Sequence, residues 1–131
     1  MSSPLENKRI LVVDDDQDIL TTIQAVFEPT GAQIDIANNG NKAVELAEKN
    51  SPDLIILDMM LPGRSGFLVL EKVKAKKPRN QKPYIIMITG NQGKRHQMYA
   101  ESLGANEYFT KPVKLDKLMA TAERLLAPPA A

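Results

Sequence analysis

The sequence predicts an α/β domain whose parallel sheet is wound on both faces by helices. Two observations carry this. Short apolar, β-branched runs alternate five times with longer segments whose apolar residues recur at helical spacing. The connections between them are short, which makes consecutive strands parallel and sets helices against both faces of the sheet. The 131 residues show no internal repeat and no second domain, and that length suits one sizeable core.

Arg9-Ile10-Leu11-Val12-Val13 reads as a first strand buried on both faces. Ile19, Leu20, Ile23, Val26 and Phe27 share one face of a helix, with Gly31 past its end. Ile34-Asp35-Ile36-Ala37 alternates as a strand near the sheet edge. Ala43, Val44, Leu46 and Ala47 mark a second helix, stopped by Ser51-Pro52. Leu54-Ile55-Ile56-Leu57 is the third strand, and Phe67, Leu70 and Val73 belong to the third helix. Tyr84-Ile85-Ile86-Met87-Ile88 is the fourth strand, followed by a weaker helix over about Lys94 to Leu103 that Gly104 ends. Glu107-Tyr108-Phe109 is a short fifth strand, and Leu115, Leu118, Met119, Ala122, Leu125 and Leu126 stripe the last helix. This pattern fits the doubly wound, flavodoxin-like strand order 2-1-3-4-5 with five helices. The domain is expected over 8–126, with residues 1–7 flexible and 127–131 a flexible tail or the start of a linker.

Composition narrows the function. Lys and Arg (17) nearly cancel Asp and Glu (16), so no global field draws the chain to nucleic acid or an anionic membrane. The absence of Cys excludes a disulfide scaffold, thiolate chemistry and Cys-based zinc sites. The first residues lack the apolar run of a signal peptide, and no stretch is apolar enough to span a bilayer. A cytoplasmic protein without nucleic-acid or membrane binding is the expectation.

In an open parallel sheet, ligands bind beyond the carboxyl ends of the strands, where the strand order reverses. Asp14, Asp15 and Asp16 follow the first strand, Asp58 the third, Thr89 and Gly90 the fourth, and Lys111-Pro112 the fifth. Crowded carboxylates repel unless a cation joins them, and a hard divalent cation such as Mg²⁺ answers that with oxygen ligands. A carboxylate also serves as nucleophile in forming an aspartyl-phosphate. An ammonium and a hydroxyl compensate the charge on the transferred phosphoryl oxygens. Gly90 leaves the backbone there uncrowded.

The segments Ile10-Leu-Val-Val-Asp-Asp-Asp16, Leu57-Asp-Met-Met-Leu-Pro-Gly-Arg-Ser-Gly66, Met87-Ile-Thr-Gly90 and Gly104-Ala-Asn-Glu-Tyr-Phe-Thr-Lys-Pro112 together resemble the receiver domains of two-component response regulators. The resemblance spans roughly Lys8 to Leu126. It implies that Asp58 accepts a phosphoryl group from a histidine kinase or a histidine phosphotransfer protein. Asp14, Asp15, Asp58 and the Met60 backbone carbonyl would hold Mg²⁺, and Thr89 and Lys111 would meet the phosphoryl oxygens. Tyr108 matches an aromatic switch that follows Thr89, and the Lys111-Pro112 bond would be cis. A downstream protein would read the face made by the fourth helix, fifth strand and fifth helix. That face suits the thin apolar stripe of the fourth helix, which shifts at small cost. The positions two after Asp58 and two after Thr89, here Met60 and Asn91, would help set the rate of hydrolysis. Leu61 and Gly90 depart from the family's commoner Met and Ala without touching a chemical group.

Plainer readings stand beside these. Asp16 and Asp18 suit the cap of the first helix better than a metal. His96, the only His, is expected to sit exposed on the fourth helix. Lys72, Lys74, Lys76, Lys77, Arg79 and Lys82 lack interleaved aromatics and read as a solvated helix end and loop. Met59 and Met60 suit loop packing and the walls of the metal site. An Mg²⁺-dependent phosphatase of the haloacid-dehalogenase type is one alternative, since Asp14-Asp15-Asp16 contains Asp-x-Asp, but it leaves Asp58 and Tyr108 without duties. A receiver-like binding module that is never phosphorylated is another. A Rossmann nucleotide site lacks its Gly-x-Gly-x-x-Gly after the first strand.

Overall fold

Strand burial sets the architecture. In a computed structural model that describes residues 3–75, 77–78, 81–90 and 94–127, five strands form one parallel sheet: β1 (Arg9–Val13), β2 (Gln33–Ala37), β3 (Leu54–Asp58), β4 (Tyr84–Thr89) and β5 (Glu107–Thr110). Their order is 2-1-3-4-5, as expected. The helices are α1 (Gln17–Phe27), α2 (Gly40–Asn50), α3 (Gly66–Lys74), α4 (Lys94–Ser102) and α5 (Leu115–Leu126). Because side chains alternate along a strand, each inner strand feeds two cores. Leu11, Val13, Ile55, Leu57, Ile85 and Met87 pack with residues of α2, α3 and α4. Ile10, Val12, Leu54, Ile56, Ile86 and Ile88 pack with Leu20, Ile23 and Phe27 of α1 and Leu118, Ala122 and Leu126 of α5. Each such side chain contributes roughly 1.5–3 kcal/mol on burial, so the inner strands hold their carboxyl ends in place with far more energy than any loop contact.

The helix starts follow from local chemistry. Asp16 caps α1 by accepting the Asp18 N–H at 2.9 Å, the role expected of it. Asn39 caps α2 through the Lys42 N–H at 2.8 Å, and Ser65 caps α3 through the Leu68 N–H at 3.3 Å. Ser51, with φ 47, ends α2 immediately before Pro52. In α4 the buried residue is Ala100 alone, while Met98 and Tyr99 are exposed, in keeping with its thin apolar stripe.

Two placements go beyond the sequence reading. Leu5, assigned to the flexible segment 1–7, is fully buried in the core shared by α1 and α5. The turn that seats it is closed by the Asn7 N–H donating to the Gly31 carbonyl at 3.1 Å. A lone leucine among polar residues gives no periodicity to detect. His96, expected to be exposed, is half-buried, with its ring stacked on Phe67 at 6.1 Å between centroids and 9° between planes. The flat imidazole gains contact by lying on the flat phenyl, which helical periodicity does not reveal. Of the expected tail 127–131, all but Ala127 lies outside the described residues, as do Met1, Ser2 and Asn91.

Candidate functional site

The register of the inner strands brings distant residues together. Val13 pairs with Leu57 and Asp58 with Ile88, so Asp14 leaves β1 beside the end of β3, where Asp58 stands. Thr89 pairs with Thr110, which brings Lys111 to the same edge. Asp14, Asp58 and Thr89 are buried, whereas Asp15 is exposed. Carboxylate oxygens of Asp14, Asp15 and Asp58 lie within 4.8 Å of one another. Lys111 Nζ sits 3.3 Å from Asp14 Oδ2 and 3.3 Å from Asp58 Oδ2. The Lys111–Pro112 bond is cis, as expected, and a second cis bond, Lys82–Pro83, was not.

The other oxygens of both buried acids are engaged by backbone. Asp58 Oδ1 accepts the Met60 N–H at 3.1 Å, and Asp14 Oδ1 accepts the Asp16 N–H at 2.9 Å. These bonds fix the two carboxylates so that their Oδ2 atoms share the Lys111 ammonium.

Charge is left uncompensated. Burial is the main cause that lifts Asp58 from 3.8 to about 6; the Asp14 carboxylate adds to it, while the Met60 N–H and Lys111 oppose it. For Lys111, burial works against the charge, but Asp58 and Asp14 outweigh it and hold the ammonium above its ordinary value. Three carboxylates therefore face one ammonium among the described residues. The donor set is all oxygen, clustered and anionic, which fits a hard divalent cation.

Tyr108 is half-buried and packs beside Leu61, Phe67 and Leu103 against the α2–α3–α4 core. Burial raises its phenol, and a hydrogen bond with the Thr89 side chain opposes that rise. The two residues read as one switch in the sequence are thus in contact.

Gly66 belongs to the site in a way that its place in the motif did not reveal. A Cβ there would strike the Asp58 carbonyl oxygen and come within 2.7 Å of Met59 Cα. The Gly66 N–H donates to the Met59 carbonyl at 2.9 Å, so α3 begins pressed against the end of β3. Gly66→Ala is expected to cost about 3 kcal/mol, because the obstacle is backbone and cannot rotate away; a chemical-denaturation midpoint measures it. At Gly90 a Cβ would meet nothing within 4 Å, in accord with either small residue suiting that position.

Comparison with known proteins agrees with this arrangement. The family described as "Response regulator receiver domain" matches residues 10–123. The chain is similar to the alkaline phosphatase synthesis transcriptional regulatory protein PhoP of Bacillus subtilis, 35% identical over 120 residues, which are 92% of this chain and 49% of PhoP. It is also similar to protein PilH of Pseudomonas aeruginosa, 33% identical over 119 residues, covering 91% of this chain and 98% of PilH. The chain thus spans about half the length of the Bacillus relative and nearly all of PilH. Among solved structures, a CheY-like response regulator receiver domain protein from Methanospirillum hungatei superposes with a TM-score of 0.85 at 30% identity, covering 92% of this chain and 94% of its own.

Proposed function

Since the chain belongs to the response regulator receiver domain family and so to two-component signalling, we propose that Asp58 is its phosphoacceptor. The observation that carries this reading is the shared Lys111 ammonium, 3.3 Å from both Asp58 and Asp14 at the end of a fully buried strand. A phosphohistidine of a histidine kinase or a histidine phosphotransfer protein is the donor. An Asp58 carboxylate oxygen attacks phosphorus, a P–O bond forms, the P–N bond breaks, and the leaving imidazole keeps its electron pair and takes a proton from solvent. Lys111 follows the charge from the carboxylate to the phosphoryl oxygens, and Thr89 meets a second phosphoryl oxygen. Asp14, Asp15, Asp58 and the Met60 carbonyl would hold Mg²⁺, which would supply the remaining positive charge at the phosphoryl oxygens. These residues let the domain assist its own phosphorylation and hydrolysis.

The readout begins at Thr89. Once its hydroxyl turns toward the phosphoryl group, its hydrogen bond to Tyr108 is lost and the ring moves inward. The face of α4, β5 and α5 changes with it and presents a new surface to a downstream protein in the cytoplasm. Its mobile part is α4, which buries little apolar area. No helix among the described residues is long and apolar enough to cross a membrane.

The reading is tested by incubating the protein with a ³²P-labelled phosphohistidine donor. Label is expected to pass to the chain with Mg²⁺ and to stay on the donor when EDTA removes the metal; equal transfer in both would exclude the metal role.

Met60 bears on lifetime. Its side chain is exposed beside Asp58 and offers no hydrogen bond to orient an attacking water. Met60→Asn is therefore expected to shorten the lifetime of the phosphorylated form severalfold, read as the decay of the phosphorylated mass. An unchanged decay rate would remove Met60 from the account.

A further inference from the structure

We propose that the cleft between the C-terminal ends of α2 and α3 docks an acidic segment of a partner protein, with one apolar side chain as its anchor. The cleft has a volume of about 320 Å³. It lies where Ser51–Pro52 leads into β3 and Lys82–Pro83 into β4, at the end of the sheet opposite Asp58. Val73 and Pro52 are buried in it and Ala47 half-buried, whereas Lys72, Lys77 and Lys82 are exposed around them. The result is an apolar floor under a cationic rim.

The charge there is concentrated. Residues 71–82 contain six basic side chains and one acid, Glu71, a local charge of +5 in a chain whose total is +1, leaving −4 for the rest. Positive charge is thus concentrated in this segment, whereas the opposite end gathers Asp14, Asp15 and Asp58 around one ammonium, Lys111. A helix dipole accounts for Lys72 in the last turn of α3. It does not account for Lys77 and Lys82, which lie beyond the helix. Lys82 Nζ is 3.8 Å from Asp53 Oδ1, and Glu48 also lines the cleft. Among the described residues, no ion pair reaches Lys72 or Lys77.

The described residues next to the rim are anchored by a buried cation. Lys74 is buried, and its ammonium donates to the carbonyls of Pro78 at 2.7 Å, Gln81 at 2.8 Å and Pro83 at 3.1 Å. That one cation ties the backbone at Pro78, Gln81 and Pro83 to the end of α3, so the backbone next to Lys77 and Lys82 is positioned in advance of binding and less ordering cost falls on the complex.

The floor decides the class of partner. A nucleic-acid strand offers phosphates to the lysines, but its bases stack on aromatic rings or Arg planes, and among the described residues neither an aromatic nor an Arg lines the cleft. An acidic peptide satisfies both features, with carboxylates on the rim and an aliphatic side chain on Val73 and Pro52. Docking there leaves the Asp58 end free, so a partner stays bound while the phosphoryl group is exchanged.

The test uses a fluorescent synthetic peptide of alternating Glu and Leu, titrated with the full chain and followed by anisotropy. Saturable binding is expected, weakened about tenfold or more by the double variant Lys72→Glu/Lys77→Glu and also by replacing Leu with Ser in the peptide. The charge-matched control Lys114→Glu/Lys117→Glu is expected to bind as the parent does. Equal weakening by the control, undiminished binding of the Ser peptide, or no saturable binding would overturn the proposal. So would tighter binding of a single-stranded oligonucleotide of equal charge at the same ionic strength. If thermal unfolding shows the double Glu variant misfolded, Lys72→Gln/Lys77→Gln gives the same reading.

Discussion

Asp58→Asn is expected to abolish stoichiometric uptake of phosphate from a phosphohistidine donor while leaving the fold intact. The amide is nearly isosteric, keeps an oxygen for the Met60 N–H and removes the proposed nucleophile. A second effect has the opposite sign, on stability. Asp58 is lifted from 3.8 to about 6, chiefly by burial and then by Asp14. The folded state therefore holds its proton more tightly than the unfolded chain does. With ν_N greater than ν_U, the stability of the metal-free protein falls as pH rises from about 4 to about 6 and stays lowered above that. A shift of this size corresponds to about 2–3 kcal/mol. Metal-free Asp58→Asn is thus expected to be more stable than the parent at pH 7 by about 2 kcal/mol, with the gap closing below pH 4. Denaturant titrations across that range measure it. Mg²⁺ is expected to stabilise the parent more than the variant, since the parent has the carboxylate to offer.

Lys111→Ala is expected to slow phosphorylation by roughly 10²–10³-fold, the scale of losing one preorganised charge at a reacting oxygen. Lys111 is the one ammonium that reaches both buried carboxylates among the described residues. Its removal also takes away one of the influences that lower Asp58, so the Asp58 proton is held to still higher pH. The rate loss is therefore expected to be largest near neutral pH and to lessen as pH rises through the shifted value. Lys111→Arg is expected to restore only part of the rate, because a planar guanidinium does not reproduce a compact ammonium between two Oδ2 atoms. Stopped-time phosphorylation assays across pH distinguish these outcomes.

Most of the fold was legible because its signals are local and repeated. The apolar runs ending at Val13, Leu57 and Ile88 are β-branched and buried on both faces, and Asp58 and Thr89 each extend their strand by one residue. The convergence of Asp14, Asp58 and Lys111 was legible for a topological reason: in this strand order their strands end at one edge. What stayed hidden depends on contacts between distant backbones. Gly66 looks like any loop glycine until α3 is seen against Asp58 and Met59. Lys74 reads as one more surface lysine until three carbonyls converge on it. His96 and Leu5 follow the same rule, since one stacked ring or one inserted side chain has no sequence period.

The most direct test of the central claim locates the phosphoryl group. The protein is phosphorylated with Mg²⁺ and a small phosphodonor, then treated with borohydride, which reduces an acyl phosphate and leaves homoserine in place of aspartate. Peptide mapping by mass spectrometry is predicted to find homoserine at position 58 alone, and none in protein kept free of the donor. Homoserine at position 14 or 15, or a phosphorylated chain that yields none, would contradict the assignment.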